Sequence, residues 1–586
     1  MAASRHVTLA DLTGAAGRRL RREASDLANA LAFYRAPALA GPSPDTLVAV
    51  PKPLRGGDKA RGAALLAGRF TLAGETLEAS PEHSIWDRPA PSRRFAESLH
   101  RFSWLADMLA VEEGEARQTA LALVDDWIDR FGRWNWFSWE PRLLEGRVRA
   151  WLLAGEVLFS GEDGPRRLRV LTRQARRLMR ALPVVEPDRT SLDAAITLAL
   201  AAVSLGFSGP GAARAGAALE AALKAQILPD GGHVSRNPQT AADMLVALCV
   251  LDKAAAERGA PLPAEVRRAM DRLAGFVTFA RLPGARLAAF HGGGEGDARA
   301  MDLALKHVSG GKKPASKAGF NVAPHSGYHR AEAGGAVVLL DAASPPPGLH
   351  AAESHASALA FEFAASGGPL VVNCGWSPDQ PGPWREAVRA TAAHSALTLE
   401  ETSSARLLAP GWRRDLMGPR VQHGPDPVKA RRNEEDLGVW LEGSHDGYRK
   451  AFGLSVRRRM FLAVDGGDLR GEDGLFRPVD DGAPDDPEAR LRFSIRFHLH
   501  PDVRASLSRD SLSALLVAQN GEGWRFRTDG GPVRLERSVY LAAGAPPQRS
   551  TQLVVSGEAE PYGGGERPPN RVRWAFQRLG RVGAAG

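Results

Sequence analysis

The hydrophobic period of this chain changes once, near residue 320, and that change constrains the fold more than any other feature. From about residue 92 to 285, apolar side chains recur every three or four positions. ESLHRFSWLADMLA aligns Leu99, Phe102, Leu105 and Leu109 on one stripe. LEGRVRAWLLAGEVLF, SLDAAITLALAAVSLGF and TAADMLVALCVLDKAAAERG behave likewise, with Gly or Pro between segments. Beyond residue 320 the period becomes two. RLRFSIRFHLH places Leu491, Phe493, Ile495, Phe497 and Leu499 on one face and Arg492, Arg496 and His498 on the other, the pattern of a half-buried strand. ALAFEF, PLVVNCGW, SALTLE, VRRRMFLAV and TQLVVSG are further strand candidates.

A helical half followed by a strand half predicts packed helical hairpins and then an antiparallel sandwich. The expected divisions are an N-terminal segment with a Pro/Gly connector (1–80), a helical domain (81–315), a sandwich (320–560) and a basic tail (561–586). Residues 292–319, rich in Gly and Lys, read as an exposed linker or lid. No apolar run reaches the roughly 18 residues of a membrane-spanning helix. Charges interrupt every apolar stretch at the N-terminus, so no signal peptide is visible and the residues alone predict a cytoplasmic protein.

The formal net charge is +9, with arginines clustered at Arg18, Arg19, Arg21 and Arg22. Such a balance favours an acidic partner: nucleic acid, anionic lipid or an anionic polysaccharide. Arginine-rich chains from GC-rich genomes are also basic without one. No nucleic-acid-binding motif accompanies the charge. The only cysteines, Cys249 and Cys374, are too few for a zinc cage or a disulfide framework.

Five segments carry polar residues that core packing does not require. RWNWFSWEPRLLEGRVRAW combines Trp134, Trp136, Trp139 and Trp151 with Glu140, Arg142 and Arg147; aromatic rings suit sugar faces and equally suit a helical core. DGGHVSRNPQT presents His233, Arg236 and Asn237 on a turn before a helix, where either an anion or simple Asn-Pro turn chemistry fits. ESHASALAFEF brings Glu353 and His355 into a strand, VVNCGW carries Asn373, and RATAAHSALTLE carries Arg389 and His394. Two histidines and an Asn at strand ends fit a polar pocket or a metal site.

In this order, LHRFSWLADMLA, WEPRLLEGRVRAWL, LPDGGHVSRNP, ESHASALAFEF, LVVNCG, RATAAHSALTL and HDGYRKAFGLSVRRRMFL resemble the heparinase II/III family of polysaccharide lyases, over roughly residues 65–555. The layout is similar to alginate and chondroitin lyases as well. The resemblance implies an N-terminal (α/α) toroid followed by a C-terminal antiparallel β-sandwich. It also implies β-elimination on a uronate polymer: donors neutralise the sugar carboxylate, a base takes the C5 proton and an acid protonates the leaving O4. It implies an acidic polysaccharide or oligosaccharide as partner and a periplasmic or envelope location.

Carried over residue by residue, the resemblance implies His233, Asn237, His291, Tyr328 and Glu353 as catalytic candidates. Trp134, Trp136, Trp139, Arg142, Arg236, Arg389 and Tyr448 become substrate-binding candidates. Some members hold a structural zinc with two His and an Asp, and His355, Asn373 and His394 match that set. The chain departs from the pattern at three points. Glu353 stands where the H-x-H-x-D motif has its first His, Asn373 replaces the Asp, and His291 occupies roughly the place of the toroid Tyr. Three function classes therefore stay open: a lyase, a catalytically degenerate glycan-binding protein, and a glycoside hydrolase built on Glu353 and Glu140.

Overall fold

The computed structural model describes residues 8–31, 39, 41–79, 84–112, 114–312, 318–479, 486, 488–544, 546–562 and 565–581. The expected division points at 81 and 315, and the last five residues of the expected tail, lie outside them. In the helical half, α1 (Leu9–Ala30) precedes α2 (Gly114–Phe131), α3 (Pro141–Leu153), α4 (Gly164–Ala181), α5 (Arg189–Ser204), α6 (Gly209–Gln226), α7 (Pro238–Arg258) and α8 (Ala264–Ala280). Proline in the first turn of α3, α4, α6 and α7 costs no hydrogen bond, because those N–H groups have no helical acceptor. Helix α5 packs on α3, α6 and α7, and α7 packs on α8. Their shared core includes Phe95, Trp104, Trp127 and Trp151, all fully buried.

Two expectations about connecting segments are corrected. The stretch 292–319 is not an exposed linker: it contains α9 (Ala298–Val308), which buries Met301, Ala304 and Leu305 against the helical core. Residues 313–317 lie outside the described residues. The stretch 561–586 is not a basic tail either. Its strand Arg571–Arg581 lies between Asp468–Phe476 and Glu522–Thr528, and Val572, Trp574 and Phe576 enter the sandwich core. The alternation of apolar and basic residues in RVRWAFQR is the signature of that strand.

The sandwich consists of a nine-stranded and an eight-stranded sheet, with every strand pair antiparallel. Between them Phe361 stacks on Trp574 at 5.5 Å, and Phe363, Phe497, Trp524 and Phe576 pack alongside. Strand Leu491–Leu499 is central in the larger sheet, pairing with Gln548–Ala559, Gly368–Val372 and Leu397–Leu399. The expectation that it is only half-buried is corrected: Arg496 and His498 are buried too. Their face is covered by residues 392–401, where Arg496 donates to Thr398 Oγ1 and His498 Nε2 lies 3.0 Å from the Ala392 carbonyl. Polar residues tolerate burial there because each has a partner.

Candidate functional site

The turn DGGHVSRNP joins α6 to α7 and is held against the sandwich. A Cβ at Gly231 (φ +88°) would fall 1.9 Å from the Arg272 carbonyl of α8, and one at Gly232 would fall 1.9 Å from Ser326 Oγ. Only glycine allows both approaches. The Asp230 carboxylate accepts from the His325 and Ser326 backbone N–H groups and from Ser326 Oγ. Arg236, buried at φ +61°, donates to the carbonyls of Ser326, Gly327, Ala343 and Ser344 and to the Asp341 carboxylate. Arg236 is therefore a clamp between the halves and not a surface for sugar. Asp341 ends the apolar strand Ala336–Asp341; burial opposes its ionisation, yet the Arg236 guanidinium holds it down to about 2.

His233, Asn237 and His291 of the helical half and Tyr328 of the sandwich lie around this clamp, with most of their polar atoms hydrogen-bonded to protein. Asn237 is the N-cap of α7, its Oδ1 accepting from the Gln239 and Thr240 N–H groups at 2.9 and 3.2 Å. His233 is fully buried between Gln226 Oε1 (2.9 Å) and Ser235 Oγ (2.8 Å), and burial lowers its pKa to about 3. His291, at φ +47°, accepts at Nδ1 from the His355 N–H at 3.3 Å. Its Nε2 lies 3.2 Å from Asp341 Oδ2 at a poor hydrogen-bond angle. Burial lowers its pKa as well, so it stays neutral. Tyr328 is buried under Arg236, donates to the Arg236 carbonyl and is pushed well above 10 by burial.

Glu353 is the exposed member of the set. Gly292 lies between it and Asn237: a Cβ there would meet Glu353 Cβ at 3.0 Å and Asn237 Nδ2 at 3.7 Å. The positive charges of Arg189, Arg385 and Arg389 interact with its carboxylate. Glu140, the other carboxylate of the hydrolase reading, is ion-paired with Arg22 and Arg93.

His355, Asn373 and His394 do come together in the sandwich. His394 Nδ1 donates to the Ala390 carbonyl at 2.8 Å, so its Nε2 accepts from His355 Nδ1 at 3.0 Å, and His355 Nε2 is buried with no partner among the described residues. Burial lowers both imidazoles, His394 to about 4. Asn373 Oδ1 accepts from the Ser395 N–H, while its Nδ2 donates to Glu362 and to the Ala289 carbonyl. Among the described residues no three His, Cys, Asp or Glu side chains are grouped to hold a metal. Two mutually bonded imidazoles and an amide that is already engaged do not fit zinc, which takes deprotonated donors and compensating charge.

The remaining binding candidates separate by burial. Trp139 lies in the helical core, with its indole N–H on the Phe131 carbonyl. Tyr448 lies in the sandwich core, donating to the Leu397 and Thr402 carbonyls. Arg389 is buried and donates to the carbonyls of Ala351, Ser354 and Pro419. All three are structural and are corrected as sugar contacts. Trp136 is 58% exposed, Trp134 beside it is partly buried against the helical core, and Arg142 is half exposed 4.0 Å from Asp188, so Trp136 and Arg142 keep surface that a ligand can reach. Asp230, Asp341 and Glu362 escaped sequence reasoning. Asp341 had one signal, a lone acid closing an apolar strand, which demands a buried partner.

The C-terminal part, residues 315–575, matches the family model described as heparinase II/III-like, C-terminal. Over 544 residues, 92% of both chains, this protein is 36% identical to FtsZ-localized protein C of Caulobacter vibrioides. Its fold is similar to the crystal structure of heparinase III (TM-score 0.65, 15% identity, 99% of this chain and 93% of that one). It is also similar to a heparan sulfate lyase of Pedobacter heparinus (TM-score 0.54, 14% identity, 99% and 92%). The toroid-plus-sandwich architecture is thus that of the heparinase III structures.

Proposed function

Since the chain belongs to the heparinase II/III-like family as a divergent member, we propose that the surface around the exposed Glu353, where the toroid meets the sandwich, binds an acidic glycan without cleaving it. One observation carries this reading. The groups at the family's proton-transfer positions are a neutral His291 wedged between His355 and Asp341, a Tyr328 bonded to main chain, and Glu353 in place of a His. β-Elimination needs a base that reaches C5 and donors that face the uronate carboxylate. A carboxylate at Glu353 repels the substrate's own carboxylate, and the arginines around it supply attraction but no base.

The test is the absorbance of the new C4=C5 double bond, with the full chain and a panel of heparan-type, alginate and bacterial exopolysaccharides, with and without chelator. Binding measured on the same panel completes it. Binding with flat absorbance is expected. A rising signal overturns the proposal and establishes a lyase with Glu353 as base, the reading that this side chain's exposure beside Asn237 supports. The identity to FtsZ-localized protein C supports a second, compatible proposal about place: this chain co-localises with FtsZ in its own cell. A fluorescent fusion is expected to overlay FtsZ, and a uniform distribution would refute it.

A further inference from the structure

The eight-stranded sheet turns one face to the sandwich core and the other outward. On its strands Gly438–His445, Ser455–Ala463, Asp468–Phe476 and Arg571–Arg581, the residues Leu441, Met460, Leu469 and Phe576 enter the core. Side chains alternate along a strand, so their neighbours face outward. The pairing register aligns Trp440, Phe461, Arg470, Ala575 and Arg527 in one outward row across five strands, the last residue on Glu522–Thr528. At about 4.8 Å between strands the row runs roughly 19 Å. A depression of about 590 Å³ opens on this face, and Trp440, Arg470, Ala575 and Arg527 line it. Ala575, the small residue of the row, lies between the two arginines. The neighbouring row adds Arg459, Glu472 and Arg573, and Asp529 completes the lining. Four arginines against two carboxylates give the depression a positive balance. Arg527 is exposed and makes no ion pair among the described residues. Arg470 is 68% exposed while holding Asp468 at 2.6 Å. Glu472 lies 3.3 Å from Arg573 and 3.8 Å from Arg459. Trp440 is 38% exposed and braced by Phe461, their ring centroids 4.9 Å apart.

We propose that this outer face is a second binding site, separate from the Glu353 surface, for an acidic oligosaccharide. The donors and acceptors of the lining match such a ligand on both sides. Guanidiniums only donate, and Arg470 and Arg527 take the ligand's carboxylate or sulfate oxygens. Ionised carboxylates only accept, and Glu472 and Asp529 take its hydroxyl groups. The indole of Trp440 gives a flat apolar platform for a ring face at one end of the row. Nucleic acid fits less well, because its phosphates bring acceptors and negative charge against the same two carboxylates. The volume falls in the roughly 300–1,000 Å³ range of ligand sites, and the length of the row suits several joined rings better than one small anion. Glu353 belongs to a connection between strands of the other, nine-stranded sheet, so the two sites are distinct in the fold and this proposal does not rest on the first.

The experiment is amide hydrogen exchange and equilibrium binding of the full chain with heparan-type and alginate hexasaccharides, with maltohexaose as the neutral control and a 12-nucleotide single-stranded DNA as the rival occupant. An acidic hexasaccharide should protect residues 438–445, 468–476 and 571–577, with an affinity that falls as salt rises, and maltohexaose should not. Arg470→Ala with Arg527→Ala should weaken that binding at least about 10-fold, since each removes charge-assisted hydrogen bonds. Ala575→Phe, which fills the depression and keeps every charge, should weaken it as well. These side chains point outward, so unchanged circular dichroism and Tm verify the fold of each variant. Unaltered binding by both variants, or no protection of these strands by either acidic hexasaccharide, overturns the proposal. DNA that protects them where no glycan does overturns it in favour of nucleic acid. Protection confined to residues 350–389 overturns it and leaves the Glu353 reading standing, whereas protection confined to the outer strands supports it and removes that reading.

Discussion

Arg236 offers the sharpest separation of a structural from a ligand-binding role. Its guanidinium makes four hydrogen bonds to sandwich carbonyls, at 2.6–3.0 Å, and one to the buried Asp341 carboxylate. The Asp341 pKa of about 2, against 3.8 normally, corresponds to roughly 2.5 kcal/mol of stabilisation at about 1.4 kcal/mol per pKa unit. That contribution is complete above pH 3.8 and is lost as pH falls through 2. Arg236→Met strips the counter-charge from a fully buried carboxylate and orphans the carbonyls, at an expected cost of about 3–5 kcal/mol at neutral pH. Asp341→Asn leaves the carbonyl contacts in place and should cost less. In the double variant no unpaired charge remains, so the cycle should show a coupling of about 2 kcal/mol or more. Guanidinium unfolding at pH 7 measures the four proteins, and amide exchange over residues 326–344 locates the damage. Additive effects within about 0.5 kcal/mol would refute the clamp. Full stability of Arg236→Met with loss of glycan binding alone would return Arg236 to the ligand site.

Three further outcomes are expected. Glu362 is pushed up to about 8, first by burial, so its burden on stability grows as pH rises from 4.5 to 8 and is constant above; Glu362→Gln should flatten that dependence and raise stability at pH 8 by several kcal/mol, read from unfolding midpoints at pH 5 and 8. Purified wild type should contain little zinc by elemental analysis, whereas Asn373→Asp, which restores a carboxylate beside His355 and His394, should raise the zinc content toward one per chain. Unchanged content in that variant would show that the imidazole pair, and not the missing charge, excludes the metal. Glu353→Gln removes an exposed anion from among Arg189, Arg385 and Arg389 and should tighten binding of an acidic oligosaccharide about 2- to 5-fold by calorimetry at low salt; weaker binding would make Glu353 a contact for sugar hydroxyls.

The change of hydrophobic period near residue 320 sufficed to place helices before strands, because burying one face of each element demands that pattern. The segments around His233, Glu353, Asn373 and His394 were legible as well, since polar clusters at turns and strand ends are not explained by local packing. Their roles were not legible. Arg236 and Tyr448 look identical in sequence whether they meet a sugar or a carbonyl, and only tertiary contacts buried them. The basic residues 561–586 resembled a tail because a strand's partners, here Asp468–Phe476 and Glu522–Thr528, are distant in sequence. Likewise the arginine cluster of α1 was visible in sequence, but which of its arginines face the protein depended on Glu140 and Glu186, more than a hundred residues away, drawing Arg18 and Arg22 inward. Periodicity is a property of neighbours along the chain. Exposure and pairing are properties of neighbours in space, and those belong to the tertiary structure alone.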